Sequence, residues 1–287
     1  MRFEKWQALG NDYLIIELQE LPFELTPARI RRLCDGPFGV SADGVLLLSP
    51  PADPANVADL RIFNPDGSEA ELSGNGAREA ILYLRRRGWT DRDSFSIHTA
   101  AGELRPSITG LDTCTVDMGR ARLRSGDYPG GPSDGRGVLT ANGHEWGFQH
   151  VSIGNPQCAI RVDTLAELES LDLSALGPPI EGHELFPNRT NVSWYTPLSE
   201  GRIRARIFER GVGETLSSGT GATGAAVAYV HEHDGDRRAA RIAVLLDGGE
   251  LEVEVGEDLR VNLTGWARPV FEARLSEDFE KELHETE

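Results

Sequence analysis

The feature that most constrains this chain is an internal repeat. Arg206–Ala225, RIFERGVGETLSSGTGATGA, falls on Arg61–Ala80, RIFNPDGSEAELSGNGAREA, when the sequence is slid by 145 residues. Nine of the twenty positions are identical, where chance gives about one. A second echo lies 144 residues apart, between Gly10-Asn11 and Gly154-Asn155. Two long copies do not make a solenoid. They imply a duplicated domain related by a pseudo-two-fold axis.

Each copy has the pattern of a glycine-rich turn that feeds a helix. After Ser73-Gly74-Asn75-Gly76 an apolar stripe runs through Ala77, Ala80, Ile81 and Leu84; after Ser218-Gly219-Thr220-Gly221 it runs through Ala222, Ala225, Ala226 and Tyr229. That spacing is one face of a helix. A helix that starts in such a turn directs backbone N–H groups and the positive end of its dipole at whatever lies before it, a site for a carboxylate or phosphate. A serine ahead of Gly-x-Gly-Ala also reads simply as an N-cap. Asn11 and Asn155 read equally as turn residues. Repetition tilts all four towards a shared cleft.

A chain of 287 residues accommodates two domains of about 140 residues, each with its own core. The expected division is residues 1–117, joined by a returning tail at 265–287, and residues 118–264. The Gly/Pro-rich stretch Asp117–Gly137 suits a connector. Short alternating strands are expected at Ser94–Thr99, Glu103–Ile108, Arg202–Glu209 and Glu250–Val255, and helices at Thr26–Leu33 and Leu165–Leu176. Together with one long helix per half, they predict an α+β fold: two halves, each an antiparallel sheet curled around a central helix.

Composition narrows the function. There are 29 Lys and Arg against 46 Asp and Glu, a net charge of −17. Nothing basic is clustered enough to follow a phosphate backbone, so nucleic acid is not an expected partner. The run Arg85-Arg86-Arg87 suits the end of the first repeat's helix, where cations complement the dipole. Three scattered cysteines, Cys34, Cys114 and Cys158, do not form a disulfide framework. His231 and His233 lack a third ligand at metal spacing. The first residues lack the apolar core of a signal peptide, and no run of about 18 apolar residues predicts a membrane span. The cytoplasm is the default expectation. The acidic tail Ser276–Glu287 reads as a solvated helix or a disordered end.

The motifs GND at Gly10–Asp12, ADG at Ala42–Gly44, FNPDGSEAELSGNGAR at Phe63–Arg78, GNP at Gly154–Pro156, RTNV at Arg189–Val192 and ERGVGET with SGTGA from Glu209 to Ala222 occur in one order. In this set the chain resembles the diaminopimelate epimerase family over essentially its whole length. The resemblance implies a cofactor-independent amino-acid epimerase of lysine and peptidoglycan precursor synthesis, often a homodimer, acting on a small zwitterion. It further implies two mirrored domains whose helix N-termini, near Gly74, Asn75, Gly219 and Thr220, hold the reacting carboxylate. Asn11, Asn64, Asn155, Asn191, Glu209 and Arg210 fall on the family's substrate-binding positions. Glu209 and Arg210 together suit an ammonium and a carboxylate.

Inverting a stereocentre requires a base for one face of the α-carbon and an acid for the other. In the family that this chain resembles, both are cysteines. Here Ser73 and Ser218 stand at the two catalytic positions, and Gln157 stands where the family usually has histidine after GNP. A thiol has a pKa of about 8.5, whereas an alkyl hydroxyl is nearer water, about 15.7. Generating the anion then costs of order 8–10 kcal/mol more, at about 1.36 kcal/mol per unit. Three readings follow: an epimerase with silenced or compensated serines, a paralogue of the same fold running another isomerisation through a carboxylic acid, and a non-catalytic binder of an amino-acid zwitterion.

Overall fold

In the computed structural model, which describes residues 1–233 and 239–286, the sequence repeat is a repeat of backbone. The chain runs from β1 (Arg2–Ala8) and β2 (Asn11–Glu17) through α1 (Pro27–Cys34) to β3 (Val45–Ser49), β4 (Asp59–Phe63) and β5 (Glu69–Ala70). The first repeat's helix, α2 (Gly74–Arg86), follows, then β6 (Ile97–Thr99), β7 (Gly102–Leu104), β8 (Pro106–Ile108) and β9 (Thr113–Arg120). Next come β10 (Arg136–Ala141), β11 (His144–Ser152), β12 (Pro156–Arg161), α3 (Leu165–Ser170), α4 (Leu173–Glu181), β13 (Asn191–Ser199), β14 (Arg202–Glu209) and β15 (Gly213–Thr215). The second repeat's helix, α5 (Gly219–His233), leads to β16 (Ala240–Leu246), β17 (Gly249–Val255) and β18 (Arg260–Trp266), and the chain ends with β19 (Arg268–Arg274) and α6 (Glu277–Glu285). Residues 1–116 with 265–287 form one unit, and residues 117–264 a second.

The first unit's sheet has the order β19-β1-β2-β3-β4-β6-β7, with β5 on β4. The second sheet runs β10-β11-β12-β13-β14-β16-β17 and continues through β18, β9 and β8, with β15 on β14. Pairing senses match step for step. Most pairs are antiparallel, as expected, but β2·β3 and β4·β6 are parallel, and so are β12·β13 and β14·β16. Each parallel pair brackets a helix, because a strand that returns in the same direction needs a crossover. The sheets are therefore mixed. Registers repeat too. Phe63 lies opposite Val45 and Glu69, and Phe208 opposite Val192 and Glu214.

The first Gly-Asn turn has Leu9 and Gly10, both at positive φ, between Ala8 and Asn11. In the second, the Ile153 N–H donates to the Asn155 carbonyl across Gly154 alone (φ 90°), one residue fewer. That difference is why β2 matches β12 at an offset of 144 residues where β1 matches β11 at 145.

One face of each sheet receives the repeat's helix. α2 packs on β1, β2 and β3, and α5 on β11–β14, β16 and β17. The other face carries a second core at matching positions. In the first unit it holds Phe3, Leu14, Ile16, Val45, Leu47 and Phe63, closed by Ile30 and Leu33 of α1 and Leu283 of α6. In the second it holds Phe148, Cys158, Ile160, Val192, Trp194 and Phe208, closed by Leu168 of α3 and by Leu173 and Ile180 of α4. Burial of this apolar surface is the main force holding each unit together.

Several local expectations change. The strand expected at Glu103–Ile108 breaks between β7 and β8, since Pro106 has no N–H for the ladder. The helix expected at Leu165–Leu176 divides, because Asp172 caps a new start and accepts from the Ser174 and Ala175 N–H groups. The supposed connector begins as the end of β9, and Arg268–Arg274 adds an unexpected strand beside β1. The tail is not simply solvated. Leu283 is fully buried, and Arg29 donates to the carbonyls of Leu283 (2.7 Å), His284 (2.9 Å) and Thr286 (3.0 Å) at the α6 C-terminus. Arg87 does more than complement a dipole, since it pairs with Glu4 and, at 2.8 Å, with Glu272. The side chain of His233 falls outside the described residues. Among those residues no helix is long and apolar enough to cross a membrane, and no group of three His, Cys, Asp or Glu is arranged to hold a metal ion.

Candidate active site

Ser73 has extended backbone, and its Oγ accepts from the Gly76 N–H at 3.1 Å while its carbonyl accepts from the Ala77 N–H. Ser218 does the same for Gly221, at 3.2 Å, and Ala222. Both serines are thus N-caps of the helices that carry the repeat. Gly74 with Asn75, and Gly219 with Thr220, supply the first N–H groups of the two helices.

In the first unit, Tyr13 Oη donates to Ser73 Oγ at 3.2 Å. A hydroxyl oxygen has two acceptor sites and one proton to give. With Gly76 and Tyr13 on its lone pairs, Ser73 is set up as a proton donor. Asn11 is tied to the same helix start. Asn75 Nδ2 donates to Asn11 Oδ1 (3.2 Å), and Asn11 Nδ2 donates to Asp43 Oδ2 (2.8 Å), which also accepts the Asp12 N–H. Arg78, fully buried, holds the Gly74 carbonyl at 2.9 Å and Asn75 Oδ1 at 2.5 Å. Asn64 is engaged elsewhere, in the turn after β4, where its Nδ2 donates to Ser68 Oγ.

In the second unit, Asn155 Nδ2 donates to Thr220 Oγ1 at 3.3 Å, and Gln157 Nε2 donates to Asn155 Oδ1 at 2.7 Å. Gln157 is fully buried, and its Oε1 has no partner. The residue in the usual histidine position therefore sets which way the Asn155 amide faces. Glu209 accepts from Thr215 Oγ1 at 3.0 Å and is hydrogen-bonded by the Ser218 hydroxyl. Burial pushes the Glu209 carboxyl up, and those two hydroxyls pull against the shift. Ser218 thus gives its proton to a carboxylate, whereas Ser73 receives one from a phenol.

The Glu209-Arg210 turn is held from below. Arg210 is exposed, its N–H donates to Asn191 Oδ1 (2.8 Å), and its Nη1 donates to the Asn188 carbonyl (2.8 Å). Buried Asn191 spends its Nδ2 on the Pro156 carbonyl (3.2 Å). Its amide joins the two segments that carry Asn155 and Arg210. Glu181 accepts the Gly211 N–H at 2.7 Å.

The structure brings Asn11 and Asn75 to Ser73, and Asn155, Thr220 and Glu209 to the Ser218 helix. Tyr13, Asp43, Arg78, Glu181 and Asn188 were not singled out from sequence. Asp43 and Arg78 lie inside quoted motifs, and Tyr13 directly follows one; Glu181 carries no local signal. The cysteines take no part. Burial pushes Cys34 and Cys114 up to about 12 and Cys158 higher still, so none is a thiolate near neutrality.

The family model described as diaminopimelate epimerase matches residues 3–124 and 149–268. A diaminopimelate epimerase of Synechococcus sp. (strain JA-3-3Ab) is 40% identical over 285 residues, covering 96% of this chain and 99% of the relative. One from Desulforudis audaxviator (strain MP104C) is 41% identical over 286 residues, covering 96% and 99%. Among solved structures, a phenazine biosynthesis protein of the PhzF family from Bacillus anthracis superposes with a TM-score of 0.69 at 19% identity, covering 96% and 99%. A hydroxyproline epimerase from Agrobacterium vitis, solved with trans-4-hydroxy-L-proline, gives 0.66 at 16% identity, covering 97% and 93%. At such identities the two structures speak for the fold alone.

Proposed function

Because the chain belongs to the diaminopimelate epimerase family and is an isomerase of that type, we propose that it interconverts LL- and meso-diaminopimelate without pyridoxal phosphate. The observation that carries this reading is the doubled arrangement of a serine-capped helix start with an asparagine bound to its first turn. One half adds the Glu209-Arg210 turn. Each helix start offers N–H groups and a positive dipole end to a carboxylate. The enediolate-like charge that develops when an α-proton leaves is stabilised by the same groups.

The acid and base roles divide unequally. Ser73, with both lone pairs engaged, delivers a proton. Ser218, bonded to the Glu209 carboxylate, stands on the side that accepts one. A carboxylate lies far closer to an accessible pKa than a serine hydroxyl, so Glu209 is the group that makes proton abstraction feasible in the absence of a thiol. Asn11, Asn155, Glu209 and Arg210 then order the zwitterion by contact and Asn191 by holding the turn, while Asn64 stays bonded to Ser68 in the turn after β4. The reading extends to a cytoplasmic homodimer made of two such duplicated chains.

The hydroxyls themselves favour a second reading, a binder of the zwitterion that has lost turnover. Following the α-proton of LL-diaminopimelate in D₂O by NMR separates the two. Exchange by the protein as it stands supports the epimerase with carboxylate chemistry. Exchange only after Ser73→Cys with Ser218→Cys identifies an epimerase scaffold quieted by its serines. Tight binding with exchange in neither leaves the binder, and failure of both binding and exchange sinks the substrate assignment.

A further inference from the structure

The segment between α4 and β13 is built with more care than a connection needs. Arg189 sits at φ 60°, a left-handed conformation that a non-glycine residue keeps only when its surroundings hold it. Its guanidinium lies 2.5 Å from Oε1 of buried Glu181, the oxygen that also accepts the Gly211 N–H. One residue earlier, the Asn188 carbonyl faces Arg210 Nη1 and the Asn188 amide Nδ2 donates to Asp127 Oδ1 at 3.0 Å.

Asp127 is itself held. Ser125 Oγ donates to its Oδ2 at 3.3 Å and accepts its N–H at 3.1 Å. The same Oγ lies 3.0 Å from Nε2 of His150, which is fully buried in β11. With the Ser125 proton committed to Asp127, the imidazole donates from Nε2, and its Nδ1 is left buried without a partner. Burial lowers the His150 pKa against the pull of Asp127, which keeps the ring neutral. A chain of hydrogen bonds thus runs from a buried ring to an exposed guanidinium.

We propose that Asn188, clamped by Asp127 and through Ser125 by His150, is the positioning residue that aims Arg210 at a ligand carboxylate. This rests on the reading of Arg210 as the carboxylate-binding arginine. An exposed arginine samples many rotamers, and binding has to freeze one of them. A carbonyl fixed at 2.8 Å from Nη1 freezes it beforehand and leaves the other N–H groups for the ligand.

Calorimetric titration with meso-diaminopimelate tests this, together with hydrogen exchange of the peptide spanning residues 186–191. Asp127→Ala and Asn188→Ala each weaken binding by about tenfold, and adding either to Arg210→Ala costs nothing further, because the paths are shared. Asp127→Asn keeps an oxygen for the Asn188 amide and stays within about twofold of the parent. Asn188 is exposed, so its variant reads the same bond without risk to the core. In both alanine variants the 186–191 peptide exchanges faster without ligand. Parent-like affinity in the two variants, or losses that add to that of Arg210→Ala, overturns the proposal while the proposed function stands. Unchanged exchange overturns it whether or not ligand binds. If Arg210→Ala itself binds like the parent, the carboxylate role of Arg210 fails and its positioning falls with it.

Discussion

The two halves share a backbone, a register and a capping serine, yet they surround those serines differently. Ser73 is half-buried and faces a phenol. Ser218 is 3% exposed and faces the Glu209 carboxylate. Along the helices the divergence continues. Position 79 of α2 is a glutamate, fully buried with both carboxyl oxygens unpartnered. Its counterpart in α5 is Gly224, and the space next to it is filled by Gln157, whose Cβ would lie 2.8 Å from any added methyl group. Duplication conserved what orders the backbone, and the polar filling of each half was free to change.

The largest expected contrast lies in the shared arginine. Arg61 and Arg206 both grip a glutamate eight residues on, but Arg61 is 57% exposed and Arg206 only 13%. Arg206 also holds the carbonyls of Leu168 (3.0 Å) and Leu171 (2.9 Å) at the end of α3. Arg206→Ala should lower unfolding stability by about 3 kcal/mol, through orphaned buried acceptors, and Arg61→Ala by no more than about 0.5 kcal/mol. Equal losses in urea melts would erase the contrast.

Gly224→Ala should destabilise by about 1–2 kcal/mol, because overpacking against Gln157 outweighs the better helix propensity of alanine. It should also displace Asn155 by moving its partner, visible as a shifted Asn155 side-chain amide resonance. A neutral or stabilising alanine would mean that Gln157 yields freely.

Glu79 sharpens the comparison through pH. Burial raises its carboxyl well above the usual range, with nearby Asp12 and Asp43 adding to the shift against the pull of Arg78. A raised folded pKa means that the group is neutral in both states below its unfolded pKa of about 4.3. As pH climbs towards the folded value, stability falls by about 1.4 kcal/mol per unit from this group alone. Glu79→Gln should remove that slope above the unfolded pKa of about 4.3. Parallel stability curves for the two proteins would show that the carboxyl finds a partner.

The smallest expected effect concerns the serines themselves. In single Ser73→Cys and Ser218→Cys variants, the thiol beside Glu209 should ionise at higher pH than the one beside Tyr13, since a neighbouring carboxylate disfavours a thiolate. Alkylation by iodoacetamide near pH 7.5 should then be about fivefold slower at position 218, burial adding to the same trend. Faster reaction there would place the base on the other half.

Much of the fold was legible because it is written in local patterns. Asp59–Phe63 and Arg202–Glu209 form strands at the expected bounds, and both serine-led helices start where glycine and cap residues place them. The errors fall where distant contacts decide. Arg268–Arg274 is a strand because β1 offers it an edge, and Leu283 is buried because α6 returns to the core beside α1. Parallel pairing was missed since strand direction is set by the crossover and not by the strand's own residues.

The sequence by itself determined the duplication, the two helix starts and the family, because repeated glycines, caps and apolar stripes are short-range instructions that survive without knowledge of neighbours. Only the tertiary structure decided what each serine meets. Tyr13 lies 60 residues from Ser73, Asn188 lies 22 from Arg210, and Gln157 meets Gly224 where α5 packs on β12. Proton-donor and proton-acceptor character arises from such long-range hydrogen bonds and from burial, and neither quantity is a property of a residue's sequence neighbours.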